Sequence, residues 1–456
     1  RERERERERE TIMDSRALAA LLSSLVSQLT LLIILLYPSS PFSSISSDSS
    51  KTLISLLHHF LNSSEIATIL AISRKRRRTH VSDCDPDQGT VAGESKFGQL
   101  GRLGRIESVL VKDPDSFRVL FKMAPSTFEW LSGLLEPLLE CRDPIESPLN
   151  LSAELRLGIG LFRLSTGSGY LEIADRFRVN ERVAKFCSKQ LCRVLCTNFR
   201  FWVGSPSSNE FDSVSHKFEN LTGLPYCCGV IGCSRFKIIR TKNQDNLSSN
   251  PDQTEESIAA QIVVDSSSRI LSIFAGPHGD KSNLRVLRSS TLYKDIEGGQ
   301  LLNSPSIYIE RVAIPQYFVG DCGYPLLPWL MIPFDDPKPG SNEEKFNAAL
   351  RLMRVSMQKT VASLKSWGIL SRPLEGEEFR NAVAYIGACA ILHNALLLRE
   401  DYSGLCDRVE DCIDHDQSSM HFRESTKQSN MDGAWIEGSV IRSTLSNRAK
   451  DLSTFK

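Results

Sequence analysis

Asp321 is the side chain here best placed to do chemistry. It closes the short apolar run Tyr317–Gly320 and opens the turn Cys322-Gly323-Tyr324-Pro325, so a carboxylate stands at a strand end. Hard carboxylate oxygens at such a place suit Mg²⁺ or Mn²⁺. The plainer role for the same residue is to shape the turn before Gly-Tyr-Pro. Upstream, Cys228–Cys233 reads as another strand, broken at Gly232. Downstream, Phe346–Trp367 carries apolar residues at Phe346, Leu350, Met353, Met357, Val361 and Leu364, the spacing of one helix face, with Gln358 among them. Gly232 offers no metal ligand, and Gln358 offers only a neutral carbonyl.

The segments GDCGYPL, FNAALRLMR and LKSW, with the late pair His393-Asn394, resemble the Harbinger/PIF class of transposases. They resemble above all the plant proteins domesticated from that class, of the antagonist-of-like-heterochromatin-protein kind. The resemblance covers roughly Phe117 to Tyr402 and implies an RNase H-like DDE nuclease domain. In active members the two strand positions and the helix position are Asp, Asp and Glu; here they are Gly232, Asp321 and Gln358. A His-Asp pair of the family falls on Ser282-Asn283, which also lacks the acid.

Phosphodiester cleavage by such a domain uses two divalent ions roughly 3.5–4 Å apart. Asp321 alone cannot clamp four positive charges. Asp280, Asp335, Asp336, Glu343 and Glu344 lie nearby in sequence but read as solvated loop and helix-start charges. The resemblance thus implies a domesticated, catalytically silent protein acting as a nuclear adaptor. Its expected partners are subunits of chromatin-modifying complexes, Polycomb repressive or histone-acetylating, beside a Myb-like protein. No small-molecule substrate is expected, and Mg²⁺ or Mn²⁺ only if the nuclease is active. The alternative is a metal-dependent DNA endonuclease with non-standard acidic ligands.

The fold class expected is α/β, with an all-α helix-turn-helix domain (111–204) before the nuclease-like domain (205–402). In the first, Phe117–Leu139 and Leu151–Thr166 hold helical patterns. Tyr170–Phe177 and Glu181–Leu195 flank a break at Arg178-Val179-Asn180, and Ile173, Ala174, Phe177, Val179 and Val183 form the apolar skeleton of a helix-turn-helix. Arg178, Arg182, Lys185 and Lys189 would face DNA. Between Leu151 and Arg200 nine Lys/Arg stand against four Asp/Glu, an electrostatic footprint for phosphates; the same skeleton also serves protein docking. In the second domain, Gly229–Ile239, Ser257–Asp265 and Ile270–Ala275 read as strands, the last two a hairpin about Ser266–Ser268. Thr241–Glu256 reads as a loop, Ser282–Ser290 as a helix, and Tyr317–Gly320 as a strand parallel to the first. Long helices are expected at Glu343–Trp367 and Gly376–Glu400.

The formal net charge is zero over 456 residues, so nucleic-acid contact must be local. Twelve cysteines occur without a CxxC, which fits buried thiols in a reducing compartment rather than zinc ligands. Residues 1–110 read as a low-complexity, disordered or helical extension. Its Arg-Glu repeat supplies no positive n-region for a signal peptide. Ala17–Tyr37 is uncharged and about long enough to span a bilayer, but five polar residues dilute it, and it reads better as a partner-binding or self-packing helix. Arg74, Lys75, Arg76, Arg77 and Arg78 read as a nuclear localisation signal. Residues 403–456 are expected to be a disordered tail: Glu400–Asp416 carries seven acids and one Arg, and Ser-rich sequence follows.

Overall fold

The computed structural model of the chain describes residues 114–139, 151–197, 199–204, 208–241, 253–375, 378–406 and 432–449. The expectations for Ala17–Tyr37, the basic run Arg74–Arg78 and residues 407–431 lie outside these.

The described part of the chain opens with six helices. The stretch expected as one helical pattern is two helices, α1 (Pro114–Phe121) and α2 (Pro125–Leu139). Lys122 separates them at φ 55°, a left-handed conformation that a helix cannot continue through, and Pro125 suits the first position of the next. The third helix, α3 (Ala153–Thr166), starts at Ser152, whose hydroxyl accepts from Leu155 N at 3.3 Å. It ends at Gly167, φ 72°, where a Cβ would lie 2.6 Å from the Gly368 carbonyl oxygen; only glycine fits this close crossing. Next come α4 (Tyr170–Phe177), α5 (Glu181–Thr197) and α6 (Phe199–Trp202). The break after Phe177 falls where the sequence places it, with Arg178 left-handed at φ 51°. Ile173, Ala174, Phe177 and Ala184 are buried between α4, α5 and their neighbours.

The second half is α/β. Helix α7 (Ser208–Thr222) leads into β1 (Cys227–Thr241), β2 (Gln253–Val264) and β3 (Ile270–His278). Two short helices, α8 (Asn283–Ser289) and α9 (Thr291–Glu297), precede a small hairpin of β4 (Ile307–Ile309) and β5 (Val312–Ile314). Then follow β6 (Tyr317–Val319), β7 (Leu330–Met331), the long α10 (Asn342–Ser366), α11 (Gly368–Ser371), β8 (Leu374–Glu375) and α12 (Phe379–Leu398). A 3₁₀ turn, Tyr402–Gly404, closes this part, and α13 (Asp432–Ser446) comes last.

The main sheet runs β3-β2-β1-β6-β7, with β8 also on β1. The first three strands are antiparallel; β6 adds parallel to β1, pairing Cys227 with Tyr317 and Val230 with Val319, as expected. Side chains alternate between faces. Cys228, Ile231, Val263 and Phe318 join a core with Leu287 of α8 and Leu292 and Ile296 of α9. On the other face α10 crosses β1 and β2, and α12 packs on β3.

Two expectations need correction. The polar stretch 241–256 is not all loop, because β1 and β2 run into it, paired out to Thr241–Gln253; pairing of the long hairpin overrides the polar composition. The tail is not wholly disordered either. Helix α13 lies against α10, β5 and β7, burying Ile441 and Leu445. Arg442 stacks its guanidinium 4.1 Å over the Phe334 ring and donates to the Pro333 carbonyl at 3.1 Å.

Among the described residues one helix, α12, is long and apolar enough to cross a membrane. It is a core helix of this body: Ile386, Ala390, Ile391, Leu392 and Leu396 are all buried. Asn394, near its C-terminal end, donates to the carbonyls of Trp202 and Ile270, each at 2.8 Å, and accepts from Ile270 N at 2.9 Å. One side chain thus ties the helical half to the sheet.

Candidate functional site

Each of the three positions singled out in sequence is placed by a different element. Gly232 lies mid-strand on β1, opposite Ile262 of β2. Asp321 follows β6 by two residues, at the end of a strand parallel to β1. Gln358, half-buried, is on α10, which packs on both strands. The fourth, Asn283, opens α8 after the cap residue Ser282.

Neighbouring side chains show how closely these positions converge. A Cβ on Gly232 would lie 3.0 Å from Met357 Cγ and 3.1 Å from its Sδ. Met357 is buried, so a thioether covers Gly232, the strand position that the resemblance aligns with an acid. Asp321 is held by protein donors. Gly323 N donates to its Oδ1 at 2.8 Å, Asn283 Nδ2 lies 3.4 Å from the same oxygen, and Arg354 Nη2 is 4.0 Å from Oδ2. Arg354 stands one turn before Gln358 on α10, so both share a face of that helix. Asp321 therefore serves as turn-former, acceptor and counter-ion together. Sequence reasoning missed Arg354, whose signal was its spacing of four residues from Gln358, and read Met357 only as one of the apolar residues of the helix face.

The remaining acids are elsewhere. Glu344 completes the N-terminal cap of α10: Ser341 Oγ accepts from Glu344 N at 3.2 Å, and Glu344 Oε2 accepts from Gly340 N at 2.5 Å. From there to Gln358 is about 21 Å along a helix rising 1.5 Å per residue, too far to supply a shared ligand. Glu343 belongs to the same first turn. Asp335 and Asp336 are exposed, and Asp280 is exposed beside Lys281, 3.7 Å away. Among the described residues no three His, Cys, Asp or Glu come close enough to hold a metal ion. One carboxylate, a glycine and an amide do not fit a two-ion centre.

Residues carried from other signals also find their places. Arg178, Arg182 and Lys185 are exposed along the α4–α5 turn and the start of α5, and Lys189 is half-buried one turn on. The Lys185 ammonium lies 5.8 Å from the Tyr170 ring centre. His393 is fully buried in α12. Its Nε2–H donates to the Ser268 carbonyl at 2.8 Å, and burial pulls its pKa down to about 4, so it is a neutral core residue. Cys227 and Cys228 are buried thiols whose ionisation burial suppresses, Cys227 being pushed up to about 12; they are inert packing groups.

Comparison with known proteins places an endonuclease-like domain over this region. Residues 231–394 match the model of the DDE superfamily endonuclease, a span that opens beside Gly232 and closes on Asn394. This part of the chain is similar to a DDE superfamily endonuclease domain. Protein ALP1-like of Arabidopsis thaliana is 27% identical over 318 residues, 68% of this chain and 77% of its own length. Antagonist of like heterochromatin protein 1, from the same plant, is 27% identical over 73% of this chain and 85% of its own. HARBI1 of Xenopus laevis, whose name proposes a nuclease, is 20% identical over 59% of this chain and 75% of its own. No solved structure matches. Within this endonuclease-like region, the three positions singled out in sequence hold a glycine, an Arg-paired aspartate and a glutamine.

Proposed function

We propose that this protein is a domesticated Harbinger-type transposase that has lost its nuclease chemistry and works as a nuclear adaptor in the regulation of chromatin. The observation that carries the first part is Met357 packed over Gly232 beside an Asp321 already held by Arg354 and Gly323. Two divalent ions need several carboxylates to neutralise them, and stability does not need those acids. An RNase H-like body can therefore persist as a scaffold. The name of the antagonist relative, which refers to a heterochromatin protein, supports a chromatin setting, with subunits of a silencing or acetylating complex and a Myb-like protein as partners. The basic run Arg74–Arg78 supports nuclear entry.

In this reading α4 and α5 are a helix-turn-helix whose Arg178, Arg182, Lys185 and Lys189 touch DNA phosphates. Backbone contacts of this kind position a protein without naming a sequence.

The test is nicking of supercoiled plasmid with Mg²⁺ or Mn²⁺ by the purified protein and by Asp321→Ala. The expected result is that both are inert. Metal-dependent nicking that disappears in Asp321→Ala would overturn the proposal in favour of an endonuclease with unusual ligands.

A further inference from the structure

Helix α13 lies across the connector 322–341, which runs from Asp321 to the first residue of α10. Its contacts follow that connector from end to end. A Cβ on Gly438 would be 3.1 Å from the Leu327 carbonyl carbon and 3.2 Å from Leu326 Cγ, closer than side chains normally come. Arg442 donates to the carbonyls of Ile332 at 3.3 Å and Pro333 at 3.1 Å, with its guanidinium over the Phe334 ring. Asn447, just past the helix, accepts from Asn342 Nδ2 at 3.0 Å and donates to Glu310 Oε2 at 3.3 Å.

The connector is itself tied to both sides of the degenerate centre. Gly320, next to Asp321, donates its N–H to the Met331 carbonyl at 2.9 Å. Asn347 of α10 accepts from Phe334 N at 2.8 Å and donates to the Phe334 carbonyl at 3.0 Å. The Phe334 ring also meets Phe346 edge-on at 5.5 Å. Asn347 and Arg354 are seven residues apart on α10, two turns, and so share one side of the helix. Arg354 reaches back to Asp321 Oδ2 at 4.0 Å. A circuit thus closes from Asp321 through the connector to Phe334, Asn347 and Arg354, and back to Asp321. Asn347 is buried, so its two hydrogen bonds to Phe334 cannot be traded for water unless the circuit opens.

We propose that α13 is a strap that locks this circuit. Docked, it clamps residues 332–334 against Asn347 and so keeps Arg354 on Asp321; undocked, it frees the connector and the first half of α10 together. The strap is suited to release, because Ile441 and Leu445 are the large apolar side chains that it buries, and elements with few such anchors open at low free energy. The coupling runs both ways. Whatever draws α13 off the connector is felt at Arg354, and a change at Arg354 is felt at α13 by the same factor. This holds whether or not the centre cleaves DNA, so a nicking result leaves it untouched.

The test is hydrogen exchange, read by mass spectrometry on the full chain and on Arg442→Ala. In the variant, amides of 328–334 and 346–358 should exchange faster by about tenfold, as for a local opening made easier, while α3 and the β2–β3 hairpin keep their rates. In Arg354→Ala, at the far end of the circuit, amides 438–446 should exchange faster as well. Thermal melts check that the variants fold; if Arg442→Ala does not, Asn447→Ala, which removes the contacts to Asn342 and Glu310, takes its place. Faster exchange confined to 438–446 in Arg442→Ala would make α13 an appended helix and overturn the proposal. So would an α13 indifferent to Arg354→Ala, or an acceleration spread evenly over α3 and the hairpin.

Discussion

Met357 and Gly232 are one packing unit. A Cβ at 232 would sit 3.0 Å from Met357 Cγ, tighter than such contacts normally are, so restoring the family's acid by Gly232→Asp forces the thioether to move. Overpacking of this kind costs about 1–3 kcal/mol. With Met357→Ala the obstruction is gone, so the same substitution should cost less there, by at least about 0.5 kcal/mol in a double-mutant cycle read by urea denaturation. Equal costs in the two backgrounds would mean that the methionine gives way freely. His393 makes a second prediction. Its pKa is about 4 in the folded state against about 6.5 unfolded. Between those values the unfolded chain binds the proton and the folded one does not. This contribution to stability is whole above about pH 6.5 and is lost as pH falls toward 4, at up to about 1.4 kcal/mol per pH unit. In His393→Gln that part of the slope should vanish, while the slope from carboxylates remains in both proteins.

At the scale of elements, α13 is the part whose sequence misleads. Its apolar residues do not dominate its composition: Trp435, Ile436 and Val440 stay exposed while Ile441 and Leu445 are buried, so no clean amphipathic stripe announces it. Gly438 lets it lie close on Leu326 and Leu327, within 3.2 Å of where a Cβ would be. Burying Ile441 and Leu445 contributes about 1.5–3 kcal/mol each. Backbone amides of residues 438–446 should therefore exchange with solvent far more slowly than a free helix permits, and Leu445→Ala should lower their protection along with the Tm. Free-helix exchange rates in the intact chain would refute the docking. The helices expected at 151–166, 170–177 and 181–195 were legible, because apolar spacing, a Ser cap and a polar break state them locally. So were β1, β3 and the parallel placement of β6, which follow from apolar runs bounded by turns. The break at Lys122 and the far ends of β1 and β2 were not, since a left-handed residue and a long cross-strand register depend on partners distant in sequence. The three positions of the degenerate site were legible as residue types. That Arg354 and Met357 neutralise and cover them was not, because this needs the angle at which α10 crosses the sheet.

For the whole molecule the decisive fact is neutrality. A chain of zero net charge gains nothing from non-specific attraction to a polyanion, so the proposed DNA contact of the helix-turn-helix rests on the small local group Arg178, Arg182 and Lys185, exposed, with Lys189 behind. Phosphate contacts release counterions, and the log–log dependence of affinity on salt then has a slope of about 0.9 per contact on duplex DNA. With four cations engaged, the slope should be about 3–4 in magnitude. Arg182→Ala combined with Lys185→Ala should reduce it by about 1.8, equally for unrelated duplex sequences, because these groups read phosphates and not bases. Both substitutions are on the exposed side of α5, while Ala184, Cys187 and Leu191 hold its buried side, so the fold should melt unchanged. A salt slope identical in variant and parent, measured by anisotropy across 50–200 mM NaCl, would remove this surface from DNA binding. Helices α4 and α5 would then be left with the other use of such a skeleton, docking to protein.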